Sequence, residues 1–335
     1  MKMENKNNEE DKKVMKKMLV LLLILVLIAF AAACDSEEPA PPPVQEAPTQ
    51  EAPQEPADED EDEDWLIGVS LATLELPFII DTYEGARRGE ATFGANVTIV
   101  DNLNDIAKNV SDIEDLLAAG MDALILMPVD SYAVAPVVLD VMEAGIPVIA
   151  VNRWVGGVDV DVWIGTDNVE AGTAKGEHFM TLVEDGTRVI ILEGTPGAGS
   201  GIDRLAGFMS AAGDRLDILT SQTANFNRVD GMTVAENLLM AHPDVEVIVA
   251  MNDEMALGAI EAAFAAGRVP GEDILITGFD GTADARAAVA EGHMLFTVYQ
   301  DPEGMGFKAV EVALGILRGE TFPPIIRFTI GFVEN

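Results

Sequence analysis

Short apolar runs recur along this chain from Trp65 to its end, and segments with helical periodicity separate most of them. A continuous apolar run of roughly four to eight residues is typical of a strand that is buried on both faces. Strands that alternate with helices form β-α-β units, which build parallel sheets with right-handed crossovers. Because the strands are too many for one such sheet, the alternation predicts an α/β protein with two doubly wound parallel-sheet domains.

The alternation is regular except at one place. A typical helical segment is Ile106–Ala119, whose apolar residues recur every three to four positions. The spacer Trp154–Asp161 has instead a hairpin-like length and no helical pattern, which suggests that the chain is leaving one domain for a second. The predicted strands are Leu66–Ala72, Val97–Asp101, Ala123–Met127, Val148–Val151, Val162–Gly165, Val189–Leu192, Ile218–Ser221, Val245–Met251, Ile274–Phe279, Leu295–Tyr299 and Ile325–Phe332.

Polar residues follow several predicted strands directly, at positions where a buried strand has no structural use for them. These residues are Asn152, Arg153, Asn252, Asp280 and Gln300. In open α/β sheets, ligands bind in the crevice outside the carboxyl ends of the strands. We therefore expect these side chains to face one ligand site. For a single Asn at a strand end, a helix cap or a turn is an equally good interpretation.

The chemistry of these side chains favours an uncharged ligand that is rich in hydroxyl groups. A carboxylate accepts several hydrogen bonds, a guanidinium donates in a fixed fork, and an amide does both. Aromatic rings for the apolar C–H faces of a sugar are available in Phe78, Phe226 and Trp154. Each ring taken alone is more typical of a protein core. Their coincidence with the strand-end polar residues favours a sugar site.

The glycine-rich segment Gly194–Gly201 follows a predicted strand and precedes a helix. A nucleotide-binding loop is one alternative, but the segment lacks the Gly-Lys-Ser/Thr ending of a P-loop. The dinucleotide fingerprint also requires an acidic residue that closes the next strand, and Ile218–Ser221 supplies none. We expect instead that the glycines let the backbone approach the crevice and that the following helix places Arg204 in it.

The first 64 residues are predicted to lie outside the folded part. Lysines precede the uncharged apolar stretch Met18–Ala33, as in a secretory signal peptide, predicted here as residues 1–33. A transmembrane anchor is the alternative, although the stretch is shorter than the roughly 20 residues that span a bilayer. Cys34, the only cysteine, directly follows small residues, which resembles the lipidation site of bacterial lipoproteins. Residues 34–64 are predicted to be a lipidated Cys followed by a disordered Pro-rich and acidic tether.

Charge and residue spacing exclude several function classes. The chain carries 58 Asp and Glu against 20 Lys and Arg, a formal net charge of −38. This surplus argues against nucleic acid as a partner. The three histidines, His178, His242 and His293, are scattered without metal-ligand spacing, and no nucleophile motif is present. We therefore expect no enzyme activity, no metal and no cofactor.

Three motifs are similar to those of the ribose-binding protein family, the type I periplasmic sugar-binding proteins of ABC importers. They are Asn252–Ala259, Gly278–Thr282 and Asp167–Val169, supported by Pro77-Phe78 and by Ala241–Val245. The resemblance covers nearly all of Trp65–Asn335. It implies two α/β lobes, 65–166 with 301–328 and 167–300 with 329–335, that are joined by three hinge crossovers and close on a sugar.

The resemblance also implies roles for individual residues. It implies that the sugar hydroxyls hydrogen-bond to Arg153, Arg204, Asn252, Asp280 and Gln300, and that Phe78 and Phe226 stack on the sugar ring. The chain departs from ribose binders at three positions, with Asn152 in place of Asp, Leu76 in place of Asn and Ile79 in place of Phe. These departures favour another pentose, a hexose or a related polyol over ribose.

The expected protein is therefore a monomeric, lipid-anchored extracytoplasmic protein that captures a neutral sugar or polyol and delivers it to an ABC permease. Two alternatives remain at the level of sequence. A sensor that presents a sugar or a furanose signal to a chemoreceptor or kinase has the same fold. A transcriptional regulator shares the fold as well, but it carries an N-terminal DNA-binding helix-turn-helix where this chain has a signal and an acidic tether.

Overall fold

The computed structural model describes residues Asp64–Asn335. The predicted signal peptide (1–33), Cys34 with its expected lipid, and the tether up to residue 63 lie outside the described residues. Among the helices of Asp64–Asn335, none is both long and apolar enough to cross a membrane.

Strands and helices alternate along most of the described range. The strands are β1 (Leu66–Leu71), β2 (Asn96–Asp101), β3 (Ala123–Met127), β4 (Val148–Val151), β5 (Val162–Gly165), β6 (Arg188–Glu193), β7 (Asp217–Thr223), β8 (Val247–Ala250), β9 (Leu275–Asp280), β10 (Phe296–Tyr299), β11 (Ile325–Arg327) and β12 (Gly331–Glu334). The helices are α1 (Pro77–Phe93), α2 (Ile106–Ala118), α3 (Ala135–Glu143), α4 (Asn168–Phe179), α5 (Gly199–Ala212), α6 (Arg228–Ala241), α7 (Asp253–Ala265), α8 (Ala283–Ala290) and α9 (Pro302–Leu317). A short 3-10 helix, Gly213–Arg215, follows α5.

The strands form two six-stranded sheets. The first has the order β11-β5-β4-β3-β1-β2 and the second the order β12-β10-β9-β8-β6-β7. Neighbouring strands are parallel, except that β12 is antiparallel to β10. We call the first sheet with α1, α2, α3 and α9 the first lobe, and the second sheet with α4 to α8 the second lobe. The chain passes between the sheets three times, after β5, after β10 and between β11 and β12, which confirms the predicted fold class.

Both sheets place a ligand crevice in the same way. In each, the first strand in chain order lies between the second and the third, as β1 lies between β2 and β3, and β6 between β7 and β8. The connections leave these strands in opposite directions, which opens a crevice at their carboxyl ends. Apolar clusters that cover the sheets bury the strand interiors, as the continuous apolar runs predict.

Two local predictions were wrong. The run Ile325–Phe332 is not one strand, because β11 pairs with β5 in the first sheet and β12 pairs with β10 in the second. The spacer Trp154–Asp161 does not lead out of the first lobe either, since it joins β4 and β5, which are parallel neighbours in the first sheet. The chain leaves the first lobe only after β5. A run of apolar residues predicts extended backbone, but it does not say which sheet supplies the partner strand.

Side-chain caps define where several helices begin. The Asp105 side chain accepts a hydrogen bond from the Lys108 backbone N–H, and Asp167 does the same for Glu170. Thr282 caps α8 by accepting from Ala285. Such caps satisfy backbone donors that have no partner within the helix.

Glycines allow α4 and α5 to pack backbone against backbone. A Cβ atom on Gly172 would lie 2.2 Å from the carbonyl oxygen of Arg204, and one on Gly207 would lie 2.2 Å from that of Val169. Contact this close leaves no room for a methyl group, so the separation of these helices depends on glycine. Because Arg204 is on α5, the same contact sets where its side chain begins.

We expect Gly172→Ala to destabilise the protein. Alanine favours a helix over glycine by about 1 kcal/mol, but the new methyl group must push α5 away, and such overpacking costs about 1–3 kcal/mol. Urea unfolding of both proteins measures the difference. Glu177→Ala, at an exposed position of the same helix, is the matched control. A Gly172→Ala protein more stable than wild type would contradict the tight packing of these helices.

Candidate ligand-binding cleft

Most of the residues singled out by sequence converge on one pocket between the two lobes. The space between its walls, counted together with the open solvent at its edge, is about 380 Å³. The predicted site residues that line it are Phe78, Asn152, Arg153, Arg204, Phe226, Asn252 and Asp280. Gln300, the remaining one, reaches the pocket through Asp280, because its Nε2 donates to Asp280 Oδ1 at 2.9 Å.

Direct contacts between the lobes lie beside this pocket. The backbone N–H of Ser131 in the first lobe donates to the carbonyl oxygen of Gly197 at 3.0 Å. In return, the Gly199 N–H donates to Ser131 Oγ at 3.2 Å. A third contact joins Trp154 Nε1 to Asp203 Oδ2 at 2.7 Å. These hydrogen bonds hold the lobes in a closed arrangement.

The expectation that Trp154 supplies an aromatic plate in the pocket was wrong. Its ring packs edge-on against Tyr132, with centroids 5.1 Å apart, and its N–H is used by Asp203. Trp154 therefore joins the lobes and does not line this pocket. A tryptophan shortly after a strand end is compatible with either role in sequence, since only the path of the loop decides where the ring lies.

Arg204 is at the centre of a buried polar network in the second lobe. Its Nε donates to Asn168 Oδ1 at 2.8 Å, and its Nη1 donates to the Met251 carbonyl oxygen at 2.9 Å and to Asp280 Oδ1 at 3.2 Å. The guanidinium carbon also lies 3.9 Å from the ring centroid of Phe279. Both Arg204 and Asp280 are buried. A buried, hydrogen-bonded pair of this kind has a fixed geometry that can be directed at a ligand.

Arg153 is the corresponding buried cation of the first lobe. Its Nη1 donates to the carbonyl oxygen of Pro128 at 2.7 Å and to that of Val129 at 3.4 Å. Burial, with a smaller contribution from nearby Arg204, lowers the pKa of Arg153 to about 10. Its Nε is buried and has no hydrogen-bond partner within the described residues, and the same is true of Gln300 Oε1. Buried groups of this type usually have partners, so both atoms are available for a hydrogen bond.

The two asparagines at strand ends have structural partners as well as a place in the pocket. Asn152 adopts a left-handed backbone with φ 60°, and its Oδ1 accepts from Asn168 Nδ2 at 3.4 Å. Asn252 caps α7, because its Oδ1 accepts from the Met255 N–H at 3.0 Å while its Nδ2 donates to the Phe226 carbonyl oxygen. Asn252 therefore caps a helix and also lines the pocket, so both interpretations of this strand-end asparagine hold.

Phe226 is held over the glycine-rich loop in a strained backbone conformation. Its φ of 59° is rare for a bulky residue and is typical of functional sites. A Cβ atom on Gly194 would lie 2.1 Å from the ring, so only glycine fits beneath it. The ring also faces both cations, at 5.8 Å from Arg153 and 6.0 Å from Arg204. The glycines of this loop thus make room for an aromatic ring and not for a phosphate.

The closed cleft changes the acidity of its carboxyl groups. Burial raises the pKa of Asp280 to about 7, although Arg204 opposes this shift. Burial also raises the pKa of Asp253, which accepts hydrogen bonds from Thr297 Oγ1 at 2.6 Å and from the Thr282 N–H at 2.7 Å. Asp253 lies behind the pocket and fixes the loop after β9.

Lys175 on α4 is buried beneath the same edge of the second sheet. Its Nζ donates to the carbonyl oxygens of Ala250 and Gly278, at 2.5 and 3.0 Å. These carbonyls lie near the ends of β8 and β9, from which Asn252 and Asp280 extend. Burial lowers the pKa of Lys175 to about 7. Lys175 is therefore a positioning residue that joins β8 and β9, the strands that end next to Asn252 and Asp280.

Comparison with known proteins places this geometry in a family. Residues 67–321 match the family described as "periplasmic binding protein domain". The chain belongs to this family. It is 39% identical over 272 residues to the ribose import binding protein of Bacillus subtilis (strain 168), which covers 81% of this chain and 88% of that protein.

Solved structures of sugar-binding proteins are similar to this periplasmic binding protein. One is the Caulobacter myo-inositol binding protein with myo-inositol, with a TM-score of 0.77, 30% identity, and coverage of 82% of this chain and 94% of that chain. Another is a Mycobacterium smegmatis protein in complex with β-D-fucofuranose, with a TM-score of 0.77, 30% identity, and coverage of 81% and 91%. The resemblance to ribose-binding proteins is thereby confirmed.

Several residues of the cleft were not identified from sequence. Met127 ends β3 and lines the pocket, but an apolar residue at a strand end is indistinguishable from core in sequence. Ser200, Glu254 and Thr282 also line it, each at or just before the first turn of a helix. Their position in the sequence could have identified them, because helices of the second lobe begin shortly after the strands end. Within Asp64–Asn335, no group of three or more His, Cys, Asp or Glu residues is arranged to hold a metal ion.

Proposed function

We propose that this protein binds an uncharged monosaccharide or related polyol between its lobes and delivers it to an ABC permease. The protein acts as a monomer, lipid-anchored through Cys34 on the outer side of the cell membrane. Ligand binds, the lobes close, and the ligand is released without chemical change. In this proposal the ligand contacts Phe78, Asn152, Arg153, Arg204, Phe226, Asn252, Asp280 and Gln300.

The observation that carries the proposal is one pocket lined by buried polar side chains of both lobes, among them Arg153, Arg204 and Asp280. Among the described residues, Arg153 Nε is buried without a partner, and so is Oε1 of Gln300, which contacts Asp280. Hydroxyl groups suit both, since a hydroxyl accepts from the guanidinium and donates to the amide oxygen. The carboxylates of the pocket are already paired, Asp280 with Arg204 and Glu254 with Arg228, so a cationic ligand has no free partner among them.

The aromatic rings add the second element of sugar recognition. Phe78 and Phe226 line the same pocket and are buried. Apolar C–H faces of a sugar ring pack on such rings, while hydroxyls at the ring perimeter meet the polar groups. The proteins named above support the ligand class, because the ligand that each is named for or bound to is ribose, myo-inositol or β-D-fucofuranose, and all three are uncharged and rich in hydroxyls.

A thermal-shift and calorimetric panel tests the proposal. Full-length protein in mild detergent is titrated with D-ribose, D-galactose, D-fucose, L-rhamnose, myo-inositol and, as a charged comparison, D-galacturonate. A ligand at about 100 times its dissociation constant should stabilise the protein by about 2.7 kcal/mol. A neutral member of the panel is expected to bind with a dissociation constant in the micromolar range or below. Binding of the sugar acid in preference to every neutral compound would contradict the proposal, as would no response at all.

A further inference from the structure

The two walls of the ligand pocket differ in polarity. The second lobe contributes Arg204, Asn252, Asp280 and other polar side chains, together with the ring of Phe226. The first lobe contributes an apolar stretch after β1 and the end of β3, formed by Leu76, Pro77, Phe78, Ile79 and Met127. Ile79 and Met127 are almost completely shielded from water, so their side chains give this wall an apolar surface.

Leu76 shows that the apolar wall belongs to the closed state. It lies at the N-cap of α1 with an extended backbone, φ −101° and ψ 127°, and makes no capping hydrogen bond. Asn, Asp, Ser and Thr are strongly preferred at such a position. Leu76 packs instead against the apolar clusters of both lobes. An apolar side chain therefore occupies an N-cap position of the pocket wall where a polar side chain is usually preferred.

The first lobe has two polar side chains in the pocket lining, Asn152 and Arg153. Asn152 Oδ1 already accepts a hydrogen bond from Asn168. One nitrogen of Arg153 donates to the carbonyl oxygens of Pro128 and Val129, and its Nε is buried without a partner among the described residues. Ligand hydroxyls can therefore gain partners from this lobe only where they meet these two side chains. A ring with hydroxyls around its whole perimeter would turn at least one of them toward Leu76, Ile79 or Met127. That hydroxyl would lose its water without gaining a partner.

We propose that the ligand has a hydroxyl-free edge, as in a sugar whose terminal CH₂OH is replaced by a methyl group. The methyl edge packs against Leu76, Ile79 and Met127 of the first lobe. The hydroxyl-bearing edge faces Arg204, Asn252 and Asp280 of the second. The inference rests on the proposed sugar-binding function and narrows the ligand to 5-deoxypentoses, 6-deoxyhexoses or sugars with an equivalent apolar edge.

Calorimetry with matched sugar pairs tests the inference. The full-length protein in mild detergent is titrated with D-galactose and D-fucose, L-galactose and L-fucose, L-mannose and L-rhamnose, and D-ribose and 5-deoxy-D-ribose. Within each pair, only one hydroxyl differs. In the pair that binds most tightly, the deoxy member is expected to bind at least about tenfold more tightly, the usual range for one methyl-sized difference in an apolar pocket.

A variant tests whether the named wall is responsible. Leu76→Asn restores a side chain that is preferred at an N-cap, so it should keep the helix stable, and it adds polar atoms to the wall. We expect the preference for the deoxy sugar to fall at least about fivefold in this variant. Met240→Asn, at an exposed position on α6 far from the pocket wall, is the control and should leave the preference unchanged.

The outcomes separate this inference from the proposed function. Equal or tighter binding of the fully hydroxylated member in the best pair would overturn the hydroxyl-free edge and leave the sugar-binding function standing. An unchanged preference in Leu76→Asn would overturn the assignment of the wall. If no neutral sugar of either panel binds, the proposed function fails and the inference fails with it.

Discussion

Arg204→Met should reduce the affinity for the cognate sugar by more than about 100-fold. The side chain joins Asn168, the Met251 carbonyl and Asp280, and stacks on Phe279. Methionine fills much of the same volume but donates no hydrogen bond. Truncating one member of a buried, hydrogen-bonded charge pair at a binding site costs about 2–5 kcal/mol, largely because the other charge is left unpaired.

A second consequence of the same substitution concerns Asp280. Arg204 opposes the rise that burial causes in the pKa of this carboxyl group. Without Arg204, we expect Asp280 to be protonated at neutral pH and to accept weaker hydrogen bonds from ligand hydroxyls, because a neutral carboxyl group is a poorer acceptor than a carboxylate. Residual binding by Arg204→Met should therefore improve as pH is raised, as carboxylate is restored.

Calorimetry on wild type and variants measures the affinity. The matched control is Arg215→Met, which removes an exposed pair with Asp185 far from the pocket and should change affinity less than twofold. Because loss of a buried pair also destabilises the fold, Arg204→Lys serves as a milder variant that keeps the charge but loses the forked geometry. A folded Arg204→Met protein that binds within threefold of wild type would show that the pocket is wrongly assigned.

We expect the Lys175→Met protein to have a larger free energy of unfolding than wild type at neutral pH. We expect this difference to decrease as the pH rises. The pKa of Lys175 falls from its ordinary 10.5 to about 7 on burial, although Asp253 opposes the shift. Between these values the unfolded chain binds a proton that the folded protein does not. Stability of wild type therefore rises with pH across this window, by up to about 1.4 kcal/mol for each pH unit.

The direction of this pH dependence distinguishes Lys175 from a lysine that stabilises the folded protein in its charged form. Below about pH 7 the side chain is charged in both states, so the cost of burying the charge is constant and largest. Above about pH 10.5 it is neutral in both states and the cost vanishes. Methionine has no such cost at any pH, but it leaves the carbonyls of Ala250 and Gly278 without this donor, which is a constant loss.

Urea unfolding at pH 7, 8.5 and 10 measures the difference between Lys175→Met and wild type. Taking this difference cancels the titration of groups that both proteins share. Lys108→Met removes a partly exposed ion pair with Asp112 and should differ from wild type by less than about 1 kcal/mol at every pH. A difference for Lys175→Met that is constant across the pH range would contradict a lysine whose pKa is strongly lowered by burial.

Much of the candidate site was accessible from sequence because parallel strands bring their carboxyl ends to one edge. Asn152, Arg153, Asn252 and Asp280 each follow an apolar run, and all four line one pocket. Arg204 was accessible for a related reason, since it follows a glycine-rich turn on a helix that starts at that edge. Whether these residues contact a sugar is a proposal that the experiments above address.

The residues that escaped prediction share a different property. Met127 is chemically a core residue, and only its place beside the cleft makes it part of the pocket wall. Lys175 is a residue type expected at the surface, yet it is fully buried against the carbonyls of Ala250 and Gly278. Trp154 was expected in the pocket and instead joins the lobes through Asp203. In each case the role depends on partners distant in sequence.

The sequence by itself determined the α/β class, the strand-and-helix alternation and the edge at which polar side chains gather. These properties follow from local periodicity and from the parallel arrangement that buried strands require. Only the tertiary structure decided that Ile325–Phe332 is divided between two sheets and that one pocket wall is mainly apolar and the other mainly polar. β11 pairs with β5, and Leu76 lines the same pocket as Asp280, although more than a hundred residues of chain separate the members of each pair. No local pattern encodes which of these distant segments meet.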